Sequence, residues 1–488
     1  MKGITSELRQ ELLAALAQHA ATGEAAHEDE KLFWPRFLPI PDHLRAFEPE
    51  VVLVLGDRGA GKSQLFQAII AKGGLERVRP FAPKVRFPKT RSERTHWLTA
   101  YPAGDDFCDA ASMGRLLARH SDRDGAAKRL WFAYLVRTVA KLMDEDARTA
   151  LSRLVTAPGG SATAVYDAVE EAGDLPLLAL DRLDRRLRES DAFVFLGYDE
   201  LDLLGEGDWE LMQAAIRGLI GCWTSYARRW QRIRAKLFLR TDLFHLHGHT
   251  LGADLPKLAA NRVDLLWTDR LLYAALTKRL INSHPGFTRL AKLSGLKLVE
   301  TEELGLMPIF SDTDELRPFI ERIAGTYMGT DKRKGQTWIW LLDHVRDGRD
   351  RASPRSLGRL IEQAALEEQQ EPRADEHRLL HPIAMRRALD RVSQENVLTA
   401  REFPWLGGLR DRLRSKEVPI ERRALLRLLG QRWDDWARNR PPADDPADLL
   451  DRLMDLGIVR GRGIDRFDVP DIYLAGLEMK RRGGVKRR

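Results

Sequence analysis

Between residues 51 and 70 the chain passes from a strand into a glycine-rich turn and then into a helix, an order few folds accommodate. Val51-Val-Leu-Val-Leu55 is a short apolar run without polar alternation. That pattern suits a strand buried on both faces of a parallel sheet. Gly56-Asp-Arg-Gly-Ala-Gly-Lys-Ser63 follows and fits G-x-x-x-x-G-K-[ST], the phosphate-binding loop. Leu65, Phe66, Ile69 and Ile70 then recur at helical spacing. Strand, loop and helix form the first half of a βαβ unit. Gly56, Gly59 and Gly61 permit backbone conformations that a side chain would block, and bring N–H groups up to phosphates. The helix starting near Lys62 adds its positive N-terminal end. Lys62 is suited to reach the β- and γ-phosphates, and the Ser63 hydroxyl to ligate Mg²⁺. The expected nucleotide-binding set is Gly56, Asp57, Arg58, Gly59, Ala60, Gly61, Lys62, Ser63 and Gln64, with ATP and Mg²⁺ as cofactors.

Periodicity organises the rest of the 488 residues. Leu8, Leu12, Leu13 and Leu16 predict a helix over 5–20, and an acidic linker runs from Ala20 to Lys31. Further strands are predicted at 96–102, 193–198, 236–240 and 263–267. The intervening sequence is helical, with one apolar face from Leu130 to Leu142 and another helix at about 208–230. Strands alternating with helices define an α/β domain with a parallel sheet. Helices follow at 269–282, 315–327 and 354–369, then at about 420–437 and 446–456. A hairpin with a glycine-rich turn is predicted over Gly457–Phe467. The expected architecture is α/β, a P-loop NTPase sheet sandwiched by helices, then an all-helical lid and a winged-helix-like module. The boundaries read as 1–30 for an N-terminal helix and linker, and 31–268 for the α/β domain, with a helical insertion at about 104–190. The helical lid takes 269–380, and the winged-helix-like domain with a basic tail takes 381–488.

The strand 193–198 ends in Asp199 and Glu200. Carboxylates at the carboxyl edge of a parallel sheet lie where α/β proteins place their ligands. Asp199 is suited to hold Mg²⁺, and Glu200 to orient and polarise an attacking water; Asp202 and Asp191 are alternatives. This Asp-Glu pair, a later strand with a polar tip and a helical domain behind it resemble AAA+ ATPases and their STAND relatives. More narrowly, Lys236-Leu-Phe-Leu-Arg-Thr-Asp-Leu-Phe244 and Lys257-Leu-Ala-Ala-Asn-Arg-Val-Asp-Leu-Leu-Trp267 resemble a group of bacterial P-loop ATPases, several of them in antiphage defence loci. The resemblance covers about residues 40–370.

It implies a nucleotide sensor at the tip of the strand between the Asp-Glu strand and the P-loop strand, here Arg240, Thr241 or Asp242. Arg240 stands where the family usually has asparagine, serine or threonine; Arg240 and Asp242 also suit simple mutual pairing. Ser353-Pro-Arg-Ser-Leu-Gly-Arg-Leu-Ile361 resembles a second sensor helix, with Pro354 in the first turn and Arg355 directed to the phosphates. Arg262, with Arg228 and Arg229 in competition, is the candidate arginine finger acting on a neighbouring subunit. His245, His247 and His249 share a side if extended, but no Cys or further His lies near, and they read as a polar loop. The twelve tryptophans read as core.

Composition bounds the function. No run approaches the ~20 apolar residues that span a bilayer, and Met1–Arg9 lacks the pattern of a secretory leader. Cys108 and Cys222 are too few for a disulfide framework or a four-ligand zinc site. A cytoplasmic protein without membrane contact is expected. The net charge is +7, with Lys480, Arg481, Arg482, Lys486, Arg487 and Arg488 near the end, either a solvated tail or a phosphate contact. Three functions follow. One is an ATP-hydrolysing regulatory switch, oligomeric with ATP, working with a partner or effector from the same locus, in antiphage defence. The second is a DNA-directed ATPase using the C-terminal module, which Asp465, Asp468 and Asp471 near the hairpin tip oppose by like charge. The third is a non-hydrolysing scaffold, against which intact Lys62 and Glu200 speak.

Overall fold

A computed structural model describes residues 5–482 apart from 22–28, 90–93, 103, 205–207, 227, 248–257, 374–377, 399–402, 432, 434–435, 437–440 and 442. Contacts divide the chain into two units. One comprises Pro39–Asp57 and Gly61–Leu265; the other comprises Met1–Leu38, Arg58–Ala60 and Leu266–Arg488.

The first unit is built on five strands: β1 (Leu53–Gly56), β2 (Thr95–Tyr101), β3 (Phe193–Tyr198), β4 (Ile233–Arg240) and β5 (Val263–Asp264). Their order across the sheet is β2-β3-β4-β1-β5, and every pairing is parallel. β4 therefore lies between the Asp-Glu strand and the P-loop strand, in the position the sensor strand requires. β1 is buried along its whole length, in keeping with its unbroken apolar run. β5 is shorter than the sequence suggests, because Leu266 lies exposed beyond it. The P-loop helix, Lys62–Ile70, packs Phe66 edge-on against Phe238 of β4. Gly197 of β3 lets it approach: a Cβ there would stand 2.6 Å from the Phe66 ring. Between β2 and β3 the chain is helical. Arg123–Val139, with its buried Leu130, Trp131 and Tyr134, packs on Trp209–Tyr226.

In the second unit the N-terminal helix Ser6–His19 packs on Pro354–Gln370, burying Leu12, Leu13 and Leu16. The helix Glu30–Arg36 begins within the end of the expected linker, capped by Asp29. The lid region is not wholly helical. β6 (Lys297–Thr301) and β7 (Gly305–Ile309) form an antiparallel hairpin. Buried Lys278 donates to the carbonyls of Leu304 and Leu306 beside its turn, and Asn282 also grips Leu306.

The C-terminal part runs helix Leu406–Leu413, β8 (Glu417–Val418), β9 (Ile420–Glu421), helix Arg422–Leu429, helix Pro446–Asp455, β10 (Arg460–Gly461) and β11 (Arg466–Asp468). The helix predicted to 437 ends at Leu429. β11 pairs antiparallel with both β10 and β9, and β12 (Lys480–Arg481) pairs with β8. Two sequence expectations change here. Asp468 is fully buried, where it accepts hydrogen bonds from Arg460, Arg462 and Arg481, so it presents no charge to a phosphate. Arg481 likewise turns inward to Asp468 and Asp471 and is no part of a free tail. Lys486, Arg487 and Arg488 lie outside the described residues. All twelve tryptophans are described, and none is exposed. Among the described residues, no helix is long and apolar enough to cross a membrane.

Candidate nucleotide site

The carboxyl ends of β1, β3 and β4 converge because their registers align. Gly56, the last residue of β1, pairs with Arg240, the last of β4; Tyr198, which precedes Asp199, pairs with Leu237 of β4. The loop after β1 turns through left-handed Gly61 (φ 88°), which caps the helix beginning at Lys62. The Lys62 ammonium folds back to donate to the carbonyls of Gly56 (3.0 Å) and Asp57 (3.2 Å). Burial lowers its pKa, opposed most by Asp202, while Arg240 lowers it further.

Asp199 is only 3% exposed. Burial raises its carboxyl pKa, and hydrogen bonds from the Ser63 hydroxyl and the Glu200 N–H oppose that shift. Ser63 and Asp199 therefore touch, although 136 positions separate them in the sequence. Glu200 adopts φ 54°, left-handed for a residue with a side chain, and precedes a short 3-10 turn, Leu201–Leu203. Such a conformation costs about 1 kcal/mol or more and is typical of sites held for function. The same turn carries Asp202 back to 3.6 Å from the Arg240 guanidinium.

Arg240 and Asp242, both buried, form a two-point pair at 3.1 and 2.8 Å. Thr241 between them is buried at the start of the helix Thr241–His247. The structure thus brings together Lys62, Ser63, Asp199, Glu200, Asp202, Arg240 and Asp242. It does not bring Asp191 to them. That residue sits before β3, at the opposite edge of the sheet, paired with Arg232 at 3.1 Å. Arg228 and Arg229 follow the helix Trp209–Tyr226 and precede β4, away from the carboxyl edge. Arg229 is clamped by both oxygens of Asp181. Arg262 is exposed just before β5 and pairs with Asp264 at 3.0 Å.

Within the second unit, which includes residues 58–60, Gly59 (φ 78°) abuts the first turn of Pro354–Gln370. A Cβ on it would lie 2.7 Å from that of Arg355 and 2.8 Å from the Ser353 hydroxyl. The Trp267 indole donates to the Ala60 carbonyl at 2.9 Å. Neither Ser353 nor Trp267 is a site candidate by sequence; the Pro354 helix start was the one local signal. His245 and His247 fall in a helix rather than an extended segment, and His249 lies outside the described residues. Among the described residues no three His, Cys, Asp or Glu side chains form a metal-binding group. Both cysteines are buried, with thiol pKa values pushed up to about 11 and 12 by that burial.

A parallel five-stranded sheet flanked by helices, with this loop after β1 and the Asp-Glu pair after β3, is a P-loop NTPase fold. No family model matches the chain, and no curated protein sequence does. Among solved structures it is similar to the Walker-type ATPase paby2304 of Pyrococcus abyssi, at 11% identity over 91% of this chain and 95% of that one, TM-score 0.39. It is similar also to the Aeropyrum pernix ORC2 protein in ADPNP–ADP complexes, at 14% identity over 89% and 88%, TM-score 0.36. The Aeropyrum pernix ORC1 protein in complex with DNA gives 14% identity over 96% and 92%, TM-score 0.33.

Proposed function

We propose that the protein binds ATP with Mg²⁺ and hydrolyses it, as a regulatory switch of the AAA+/STAND type. The contact between Ser63 and Asp199, beside the Lys62 ammonium, carries the reading. A hydroxyl and a carboxylate are the hard oxygen donors that Mg²⁺ takes from protein, with phosphates and water completing its shell. Bound there, Mg²⁺ would neutralise charge developing on the phosphate oxygens. Lys62 exchanges its two backbone carbonyls for phosphate oxygens, and Glu200 orients the attacking water. Arg240, fixed by Asp242 and close to Asp202, holds its charge at the tip of β4, where a terminal phosphate would end. The expected setting remains that of the resemblance: antiphage defence, a homo-oligomer with ATP, and an effector partner from the same locus.

The test is phosphate release and ATP affinity of the full chain with Mg²⁺, compared with Lys62→Ala. The parent should bind and turn over ATP, and the variant should lose both. Binding without phosphate release, alone and with partners, would leave only a scaffold role. Chromatography with ATP, ADP and a non-hydrolysable analogue tests the switch; one unchanging monomer peak in all three would remove it.

A DNA-directed ATPase is the second reading, supported by the order of helices and strands in the C-terminal part, which resembles that of a winged helix. The charge on the helix Pro446–Asp455 opposes it. Pro446–Asp455 exposes Asp451 and Asp455, and its Arg452 is held by Asp448. A helix entering the major groove needs the opposite sign.

A further inference from the structure

The amino edge of the sheet carries chemistry that the nucleotide site leaves unused. Between residues 77 and 94 the sequence holds seven lysines and arginines against one acid, Glu93, interleaved with Phe81, Phe87 and three prolines. Residues 79–89 border a groove of about 710 Å³, together with Phe193 at the start of β3 and Arg232 just before β4. Two guanidinium groups already lie over aromatic rings. Arg232 is 4.4 Å from the Phe193 ring centre and Arg79 is 5.6 Å from that of Phe87. Arg79, Arg86 and Lys89 are exposed, while both rings are half-buried.

A second depression of about 460 Å³, bordered by His96, Arg186, Ser190 and Ala192, adjoins the first at residues 191–193. Exposed Arg94 reaches across to the Ser190 carbonyl at 3.2 Å. The acids here are few: Asp191 pairs with Arg232 at 3.1 Å, buried Glu48 lies 3.9 Å from Arg86, and exposed Glu50 borders the groove, where four cations outnumber two acids. The pair made by exposed Asp191 contributes little, so Arg232 can meet another anion at small cost.

We propose that this track binds single-stranded nucleic acid. Cations spread along a groove meet successive phosphates, and guanidinium planes resting on half-buried rings offer stacking surfaces to bases of any sequence. A mononucleotide would occupy one depression and leave the cations of the other unused. The track lies within the first unit alone and does not depend on ATP hydrolysis.

Fluorescence anisotropy of the full chain with fluorescein-labelled oligo(dT) and oligo(U) of twenty nucleotides tests this, from 50 to 300 mM NaCl. Binding should weaken steeply with salt, because phosphate contacts release counterions. The triple variant Arg79→Glu, Arg86→Glu, Lys89→Glu should lose at least about tenfold in affinity. Phe87→Ala should lose about fivefold or more while keeping the parental salt slope, since stacking releases no counterions. Lys62→Ala should bind the oligonucleotides as the parent does, which separates this site from the nucleotide reading. Circular dichroism melts confirm that each variant is folded. Three results would each overturn the proposal: no binding at 50 mM NaCl, a triple variant with parental affinity, or loss of binding in Arg422→Glu, Arg423→Glu instead. Displacement by polyglutamate as effective as by unlabelled oligonucleotide, with Phe87→Ala neutral, would leave a site for acidic protein and sink it as well.

Discussion

The two ends of the central sheet handle charge in opposite ways. At the carboxyl ends, ionisable groups are drawn inward and fixed by one another: Asp199, Arg240 and Asp242 are buried, and Lys62 and Asp202 stand beside them. At the amino ends, cations outnumber acids, point to solvent and lie over rings. A charge held in low dielectric acts strongly on a ligand, but only on one that fits the fixed geometry. Exposed, screened cations act weakly and tolerate a ligand that shifts. The first arrangement suits one small polyanion in one pose; the second suits a polymer.

The largest break in that comparison is expected at the carboxyl edge. Glu200→Gln keeps the side-chain shape and the strained backbone but removes the proposed base, so turnover should fall about 10²- to 10⁴-fold. ATP affinity should stay near the parental value, which a fluorescent ATP analogue would report. Normal turnover in Glu200→Gln would move the base role to Asp202, whose own Asn variant then becomes the test. No single substitution at the amino edge should change a rate that much.

A smaller break concerns Arg240 and Asp242. Removing one partner weakens the pairing of the other in a buried place, with Asp202 still near Arg240, which costs up to about 3–5 kcal/mol. Arg240→Ala and Asp242→Asn should each lower the urea stability of the folded chain by that order. The double variant Arg240→Met, Asp242→Leu should recover most of it, because two charges and their desolvation leave together. If the double variant folds yet does not hydrolyse ATP, the pair serves the chemistry as well as the fold. If it hydrolyses normally, the sensor role expected for Arg240 falls and mutual pairing is all that remains.

How much of this was legible follows from how local each feature is. β1, the glycine loop and its helix are contiguous, so one stretch of twenty residues displays them. Asp199 and Glu200 are legible because an apolar strand ends in two acids. The strand between them and the loop strand could be named from the resemblance, and β4 is that strand. Asp202 was visible only as an alternative, since a 3-10 turn brings it back to Arg240. Asp468 misled for the same reason: beside a glycine-rich turn it reads as surface. Yet Arg460, Arg462 and Arg481, from separate stretches of chain, enclose it. The hairpin Lys297–Ile309 was missed because its strands carry one fully buried position between them and alternate weakly. The amino-edge groove draws on residues 79–89, 193 and 232, and no single stretch of chain displays it.

The smallest effect lies between the two ends. Lys236 of β4 is fully buried, donates to the carbonyls of Glu48 and Val51, and lies over the Phe195 ring. Burial lowers its pKa from 10.5 to about 7. Between those values the unfolded chain holds a proton that the folded chain does not, so stability should rise with pH across that window. The slope is about 1.4 kcal/mol per pH unit at most, vanishing below the folded pKa and above the unfolded one. Lys236→Met should remove that slope for the first unit and gain most at neutral pH or below, where the buried charge costs most. Lys278 in the second unit, also lowered to about 7 by burial, supplies the control. Lys278→Met should flatten the second unit's unfolding between pH 7 and 10 and leave the first unit's slope in place. A parental stability that is flat over this range would mean that the two carbonyls hold the Lys236 ammonium charged. The interior of the sheet would then tolerate an unpaired cation, as its carboxyl edge does not.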